Sequence, residues 1–135
     1  HDYPYWNTFG VTMKEIIKTD LAPEAVGTYS QGVKFNGVFY FSGQIGINPQ
    51  TNIMSESFDE QLSQIMKNID GLLTSQNLKR ENILKTTIFL QDLSDFDKVN
   101  KAYIEYFTAP YPARSCVQAA ALPKGALVEI EVIAG

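Results

Sequence analysis

Arg114, Cys116 and Glu129 are residues of this sequence whose types could do chemistry, and each also has a structural interpretation. The 135-residue chain has one histidine, His1, one cysteine and two arginines. Serine–histidine–aspartate and cysteine–histidine mechanisms need a histidine base, and histidine-rich metal sites need several imidazole ligands. Because His1 stands at a terminus, where order is not expected, any chemistry must use carboxylates, Arg, Tyr, Ser, Cys, Lys or backbone groups.

Arg114 lies in residues 112–118, a segment whose pattern is that of a strand. Side chains alternate between the two faces of a strand, so Arg114, Cys116 and Gln118 share one face. An arginine among small and apolar residues needs a paired anion, because a buried unpaired charge costs several kcal/mol. A carboxylate of the chain could supply that anion, and so could a ligand carboxylate held by two parallel hydrogen bonds. The sequence leaves both interpretations open.

The last strand of the chain carries two carboxylates, Glu129 and Glu131, on one face. Val128, Ile130 and Val132 occupy the other face, which is expected to be buried. Two carboxylates in such a strand indicate a solvated face or a functional one, and sequence alone favours the solvated face. The functional interpretation stays open, because a carboxylate within hydrogen-bond reach of a water can orient or deprotonate it.

Cys116 and Tyr29 are weaker candidates for a functional role. A single cysteine excludes an intramolecular disulfide framework and a thiol zinc cluster. In a strand it is more often a small buried hydrophobe than a nucleophile, and no histidine is at hand to lower the pKa of its thiol. Tyr29 stands in a glycine-flanked loop, residues 27–32, where it packs or lines a pocket.

Composition restricts the partners and the location. The chain is 44% hydrophobic with a formal net charge of −4, as expected of one ordinary globular domain. A sequence pI near 4.9 is a poor match to nucleic acid. The nine lysines form no polybasic run for a membrane surface. No apolar stretch approaches the ~20 residues of a membrane-spanning helix, and no secretory signal is visible. We therefore expect a cytosolic protein that binds neither nucleic acid nor membranes.

The first twelve residues differ from the rest of the chain. Residues 1–12 are aromatic and aperiodic, whereas a strand pattern begins at Met13. We expect 1–12 to be a non-native or flexible extension and 13–135 to be the single domain. The alternative is a genuine N-terminal arm that packs its Tyr and Trp side chains on the domain.

The elements that position these residues follow from turn signals and apolar spacing. Asn36-Gly37 between two apolar runs predicts a hairpin over residues 33–42, and residues 42–55 are typical of a loop. Apolar residues then recur at three- and four-residue steps, which predicts a helix from Ser57 to near Asn77. Ser57 and Glu60 have the spacing of a capping box.

The second half of the chain predicts three further strands and one further helix. Residues 83–90 are typical of a central strand, a second helix begins at Ser94, and prolines end it. Residues 113–122 and 127–134 are expected to form a final hairpin. The order predicts an α+β fold with two helices on one face of a mixed sheet. If the other face is apolar, it requires a partner subunit.

The sequence resembles the reactive-intermediate deaminase family, RidA, also known as YjgF. The resemblance covers residues 13–135 and rests on four blocks in the family's order. These are Ala22-Pro23 with Gly27-Thr28-Tyr29-Ser30-Gln31-Gly32; Phe41-Ser42-Gly43-Gln44-Ile45 with Asn48-Pro49; Lys85-Thr86-Thr87-Ile88-Phe89-Leu90 with Asp92-Leu93, Phe96, Val99 and Asn100; and Pro112-Ala113-Arg114-Ser115-Cys116-Val117 with Leu122-Pro123 and Val128-Glu129-Ile130-Glu131.

The resemblance implies a chorismate-mutase-like fold, related to the ferredoxin-like fold, and a homotrimer whose sheets form a central barrel. It implies ligand pockets at the subunit interfaces and hydrolysis of reactive 2-imino acids, such as 2-iminopropanoate and 2-iminobutanoate, to 2-keto acids and ammonia. It implies no metal and no cofactor. A non-catalytic, ligand-binding or chaperone-like trimer of the same family is the alternative. RNA cleavage, also claimed for relatives, is disfavoured by the acidic charge and the lack of a usable histidine.

The resemblance also implies roles for individual residues. Arg114 matches the arginine that grips the substrate carboxylate, and Glu129 matches the glutamate that positions the attacking water. Cys116 matches a cysteine whose backbone amide assists. The other matched positions lie in or near the pocket: Tyr29, Ser42, Gly43 and Asn100. Gln118 departs from a frequent glutamate of the family, and no role in the chemistry is expected of it.

Overall fold

The structure is a computed structural model that describes residues 13–135. Over these residues the chain forms six strands and two α-helices. They are β1 (Glu15–Ile17), β2 (Gly32–Phe35), β3 (Val38–Gln44), α1 (Phe58–Ser75), β4 (Ile83–Leu90), α2 (Phe96–Tyr106), β5 (Ala113–Gln118) and β6 (Val128–Ala134). The strands make one mixed sheet in the order β1-β2-β3-β6-β4-β5. The predicted extension, residues 1–12, lies outside the described residues.

The predicted hairpin is confirmed as β2 and β3. These strands pair antiparallel, with Phe35 opposite Val38, and the two residues between them have positive φ angles of 50° at Asn36 and 78° at Gly37. Asparagine tolerates this left-handed region and glycine adopts it without steric cost. The Asn-Gly pair therefore fixes the turn and, through it, the register of the hairpin.

Helix α1 begins as its spacing predicts. The Ser57 side chain caps the helix by accepting a hydrogen bond from the backbone N–H of Glu60, at 3.1 Å. In place of the second bond of a capping box, from the backbone N–H of Ser57 to the Glu60 side chain, the Glu60 carboxylate accepts from Ser55 Oγ at 2.5 Å. The helix ends at Ser75, and Asn77 follows with a φ of 57°, which confirms the predicted end.

The predicted final hairpin is wrong. Strand β4 lies between β5 and β6, parallel to β5 and antiparallel to β6, and β5 ends at Gln118 instead of 122. A parallel pair needs a crossover connection, which α2 supplies between β4 and β5. Residues 119–127 then connect β5 to β6 across the end of β4. No local signal in the sequence indicates that β4 pairs with both of these strands.

The two helices cover one face of the sheet and bury the core against it. Ile65 of α1, Val99 of α2, Ile88 of β4 and Ile130 of β6 are all 1% exposed or less and belong to one apolar cluster. The opposite face is uncovered in a single chain, and Tyr40, Leu84 and Val117 expose 45%, 49% and 47% of their surface.

None of the helices in residues 13–135 has the length and hydropathy needed to cross a bilayer. The expected cytosolic location stays a prediction.

Candidate functional site

Arg114 lies on β5 and reaches α2 with its side chain. Its Nη1 donates a hydrogen bond to Asn100 Oδ1 at 2.6 Å, and its guanidinium carbon is 5.0 Å from the ring centroid of Phe96 and 5.2 Å from that of Tyr103. Both distances are within the ~6 Å of a cation–π contact. Phe96, Asn100 and Tyr103 stand at positions i, i+4 and i+7, so they form one stripe along α2.

Arg114 has no carboxylate partner in the described chain. The ion pairs within residues 13–135 join Lys34 to Glu15, Arg80 to Asp70 and Lys98 to Asp95. The sequence pattern places Arg114 among small and apolar residues of a strand, but the residue is exposed in a single chain. The interpretation of Arg114 as one half of an internal ion pair therefore has no support among the described residues.

A cavity of about 540 Å³ opens beside the Arg114 guanidinium. Its lining combines one cation, one amide and several apolar side chains: Asn100, Tyr103, Ile104, Tyr111, Pro112 and Arg114. A small organic acid has room here, with its carboxylate on the guanidinium and its carbon chain on apolar surface.

Cys116 follows Arg114 on the same face of β5, and its side chain is half-buried against the apolar core. Burial raises the pKa of the Cys116 thiol, and the positive charge of Arg114 opposes that rise only in part. The thiol is therefore protonated near neutral pH and is a poor nucleophile. This setting fits the expected role of a small hydrophobe.

The backbone amide of Cys116 faces the free edge of the sheet. The N–H of Ala119 donates to the carbonyl oxygen of Leu90 on β4, at 2.9 Å. Successive N–H groups of a strand point to alternate edges, so the N–H of Cys116, three residues earlier, points away from β4. Strand β5 is the last strand of the described sheet, which leaves this donor available to a ligand.

Glu129 lies on β6, on the face that the helices leave uncovered. Its carboxylate is half-buried, and burial raises its pKa, helped by the negative charge of Glu131 two residues along. A Cβ atom on Gly43 would overlap the Glu129 carboxylate. The glycine therefore allows the carboxylate to lie against the backbone of β3, where the pairing of β3 with β6 is irregular.

Ser42 and Tyr29 belong to the loops around Gly43. Ser42 Oγ donates to the carbonyl oxygen of Ser30 at 2.5 Å, and the backbone N–H of Ser42 donates to the carbonyl oxygen of Gln31 at 2.9 Å. Tyr29 is 55% exposed and, with Ser30, lines a cavity of about 610 Å³ beside β1. The sequence left open whether Tyr29 packs or lines a pocket, and the structure places it on a cavity wall.

The predicted site residues thus form two groups. Asn100, Arg114 and Cys116 make the arginine group, on the helix-covered side of the sheet. Tyr29, Ser42, Gly43 and Glu129 make the glutamate group, on β3, β6 and the adjoining loop. The structure does not bring the two groups together within one chain. Strand β4 pairs with both β5 and β6, and there Thr86 is in register with Arg114 and Phe89 is in register with Glu129. Residues three apart on a strand point to opposite faces.

The contacts of Phe96 and Tyr103 with Arg114 were not predicted from the sequence, because these contacts depend on how α2 packs against β5. The sequence shows that Phe96, Asn100 and Tyr103 share one face of a helix, but it does not show that this face lies against Arg114. Within the described residues, no three His, Cys, Asp or Glu side chains are grouped to hold a metal ion.

Comparison with known proteins gives consistent matches over most of the chain. The family model described as Endoribonuclease L-PSP matches residues 19–135. A RutC family protein of Aquifex aeolicus is 49% identical over 124 residues, which are 90% of this chain and 98% of that protein. The 2-iminobutanoate/2-iminopropanoate deaminase of Salmonella typhimurium is 42% identical over 125 residues, again 90% and 98%.

Solved structures match equally well. YyfA from Yersinia pestis, described as a protein of unknown function of the conserved Rid family, superposes with a TM-score of 0.88 at 49% identity, covering 90% of this chain and 98% of that one. TdcF of E. coli, solved with bound serine, superposes with a TM-score of 0.84 at 40% identity, covering 89% and 97%.

Proposed function

The chain belongs to the Rid protein family, whose model is described as Endoribonuclease L-PSP, and on that premise we propose that it hydrolyses reactive 2-imino acids to 2-keto acids and ammonia. The substrates proposed are those in the name of the Salmonella relative, 2-iminobutanoate and 2-iminopropanoate. The observation that carries the proposal is the setting of Arg114. Its exposed guanidinium has no carboxylate partner in the described chain. It contacts side chains of α2 and lines a cavity of about 540 Å³.

Arg114 binds the carboxylate of the substrate. A guanidinium has five N–H donors, and Asn100 accepts from one nitrogen of Arg114. The remaining donors can hold a carboxylate through two parallel bonds, which fixes the plane of the substrate as well as its charge. The free N–H of Cys116 on the sheet edge adds a third donor on the same side of the site.

Glu129 positions and deprotonates the attacking water. The water oxygen bonds to the electrophilic imine carbon while one of its protons moves to the Glu129 carboxylate, and the C=N electron pair moves to nitrogen. In the resulting amino alcohol, the protonated Glu129 donates its proton to the nitrogen, and the hydroxyl group releases its proton to solvent. The C–N bond then breaks as the C=O bond forms, so that ammonia leaves and Glu129 is again a carboxylate. A raised pKa makes this carboxylate a stronger base than an ordinary one.

A covalent nucleophile is not needed for this reaction, because a protonated imine is already electrophilic. Holding the acid and the water together can contribute up to ~7–11 kcal/mol in ideal cases. The chain therefore needs one cation for the carboxylate, one carboxylate for the water and a few hydrogen bonds, which matches its short inventory of catalytic side chains.

We propose further that two copies of the domain, residues 13–135, build each site. The arginine group of one protomer faces the glutamate group of the next, since the two groups lie on opposite sides of one sheet. A homotrimer of chorismate-mutase-like protomers, with the uncovered sheet faces forming a central barrel, creates three such sites. The exposed apolar side chains of that face, Tyr40, Leu84 and Val117, fit burial in such an assembly.

The proposed activity is tested by coupling the protein to a threonine dehydratase, which releases 2-iminobutanoate, and measuring the rate at which 2-ketobutanoate forms. We expect Arg114→Ala to lose on the order of 100-fold or more in kcat/KM, because two charged hydrogen bonds are lost. Arg114→Lys keeps the charge but cannot form two parallel hydrogen bonds to a carboxylate, so its kcat/KM should stay close to that of Arg114→Ala. Arg80→Ala is the matched control, since Arg80 instead pairs with Asp70 at 2.8 Å. Equal rates for wild type and Arg114→Ala would refute the assignment.

A ligand-binding trimer without catalysis makes a different prediction. It would bind 2-ketobutanoate through Arg114 yet leave the rate of 2-iminobutanoate hydrolysis unchanged. The name of the matched family model raises RNA cleavage as another activity to measure. Cleavage that survives in the double variant Arg114→Ala, Glu129→Ala would not come from the site proposed above.

A further inference from the structure

A pair of hydroxyl groups lies beneath Arg114, and the mechanism above does not use it. Thr86 of β4 and Tyr103 of α2 are 2% and 5% exposed, and their hydroxyls are hydrogen-bonded to each other. Thr86 is the residue of β4 in register with Arg114 on the parallel strand β5. The bond therefore joins the helix and the sheet directly next to the arginine.

The ring of Tyr103 is part of the surface on which Arg114 rests. The guanidinium carbon lies 5.2 Å from its centroid and 5.0 Å from that of Phe96, while Asn100 accepts from Nη1. The two rings contact the guanidinium group through their faces, and the amide oxygen binds one of its N–H groups. This arrangement restricts where the remaining N–H groups can point.

Such restriction matters because an arginine side chain has many rotamers. An exposed arginine that is free to move loses conformational freedom when it binds a carboxylate, which weakens binding. A guanidinium already held by two rings and one amide has lost most of that freedom before the ligand arrives. A buried tyrosine hydroxyl also needs a partner, and Thr86 provides one only when the Tyr103 ring is in its observed place.

We propose that Phe96 and Tyr103 are positioning residues for Arg114, and that the hydrogen bond between the hydroxyls of Thr86 and Tyr103 fixes the ring on which the guanidinium rests. This inference rests on the proposed function, in which Arg114 binds the carboxylate of the substrate. It assigns to the three residues no contact with the reacting atoms.

The experiment compares Phe96→Leu and Tyr103→Leu, which remove a ring, with Phe96→Tyr, which keeps one. The matched control is Tyr106→Phe, because Tyr106 is a buried tyrosine of the same helix whose hydroxyl donates to Asp70 at 2.6 Å, away from Arg114. For each protein we would measure KM and kcat for 2-iminobutanoate, the Kd for 2-ketobutanoate by calorimetry, and Tm.

Each ring deletion should raise both the Kd and KM roughly tenfold, the equivalent of one cation–π contact, while kcat changes less than threefold. Phe96→Tyr should keep the wild-type Kd, and Tyr106→Phe should lower Tm without changing the Kd. The inference is overturned if both ring deletions leave the Kd within twofold of that of Tyr106→Phe. Phe96 is only half-buried, so Phe96→Leu remains a valid test if the Tyr103 variant does not fold.

The role of Thr86 has its own test. Thr86→Val and Tyr103→Phe each remove one hydroxyl of the pair and keep the size of the side chain. We expect each to raise the Kd two- to threefold and the double variant to do no more, because all three lack the same bond. Additive effects would contradict the assigned role. A wild-type protein that binds 2-ketobutanoate without turnover would refute the proposed function but leave both binding tests intact.

Discussion

Arg114 and Glu129 lie on opposite faces of one sheet, with β4 between their strands. Their register partners on β4, Thr86 and Phe89, are three residues apart. At about 3.3 Å per residue, this separates the two positions by about 10 Å along the strand, in addition to the thickness of the sheet. Two side chains in this relationship cannot hold the same small acid within one chain, so their cooperation requires a second copy.

Gly43 should be essential because the Glu129 carboxylate lies where a Cβ atom would be. We expect Gly43→Ala to displace the carboxylate and lower kcat for 2-iminobutanoate by roughly 10- to 100-fold, as misplacement of a catalytic group does. The double variant Gly43→Ala, Glu129→Gln should be no slower than Glu129→Gln alone. A further loss in the double variant would show that Gly43 acts through something other than Glu129.

The acid limb of the pH–rate profile should move when Glu131 is neutralised. Burial, and then the negative charge of Glu131, raise the pKa of Glu129, and only the ionised carboxylate can accept a proton from water. Removing that charge in Glu131→Gln lowers the pKa, so activity should persist to lower pH. Glu131→Asp retains the charge and serves as the control. An unchanged acid limb in kcat/KM for Glu131→Gln would contradict this account of Glu129.

Gln61 should contribute to stability because it connects α1 to the start of the strand that carries Glu129. Its buried side chain accepts from the N–H of Leu127 at 2.9 Å and donates to the carbonyl oxygen of Ser55 at 2.8 Å. Gln61→Ala leaves both backbone groups without this partner and should lower the free energy of unfolding by about 2–4 kcal/mol. Ser63→Ala, at an exposed position of the same helix, should change it by less than about 0.5 kcal/mol. Urea denaturation measures both, and similar losses would contradict the role of Gln61.

Local signals in the sequence predicted much of the fold. The Asn36-Gly37 turn and the Ser57 cap depend on residues within a few positions of each other, and the structure confirms both. The alternation that places Glu129 and Val128 on opposite faces of β6 is a local property as well. The neighbours of β5 are set instead by a crossover through α2, which is why the final hairpin was predicted wrongly.

The candidate site could be predicted only in part, for the same reason. Residue types and the family resemblance identified Arg114 and Glu129, but the contact of Arg114 with α2 depends on how the helix packs over β5. The position of Thr86 next to Arg114 requires the register of two parallel strands, and its bond to Tyr103 requires the packing of α2 on β4. No spacing in the sequence indicates that the two groups of predicted site residues lie on opposite sides of the sheet.

A mixture of two inactive variants tests the central claim most directly. Arg114→Ala and Glu129→Gln would be unfolded, mixed in equal amounts and refolded together, and hydrolysis of 2-iminobutanoate would be measured. If each site takes Arg114 from one protomer and Glu129 from its neighbour, about one quarter of the sites in random trimers regain both residues. We therefore predict recovery to about one quarter of the wild-type rate, and no recovery when Arg114→Ala is mixed with the double variant Arg114→Ala, Glu129→Gln. Mixed trimers of Arg114→Ala and Glu129→Gln that remain as inactive as their parents would contradict the account.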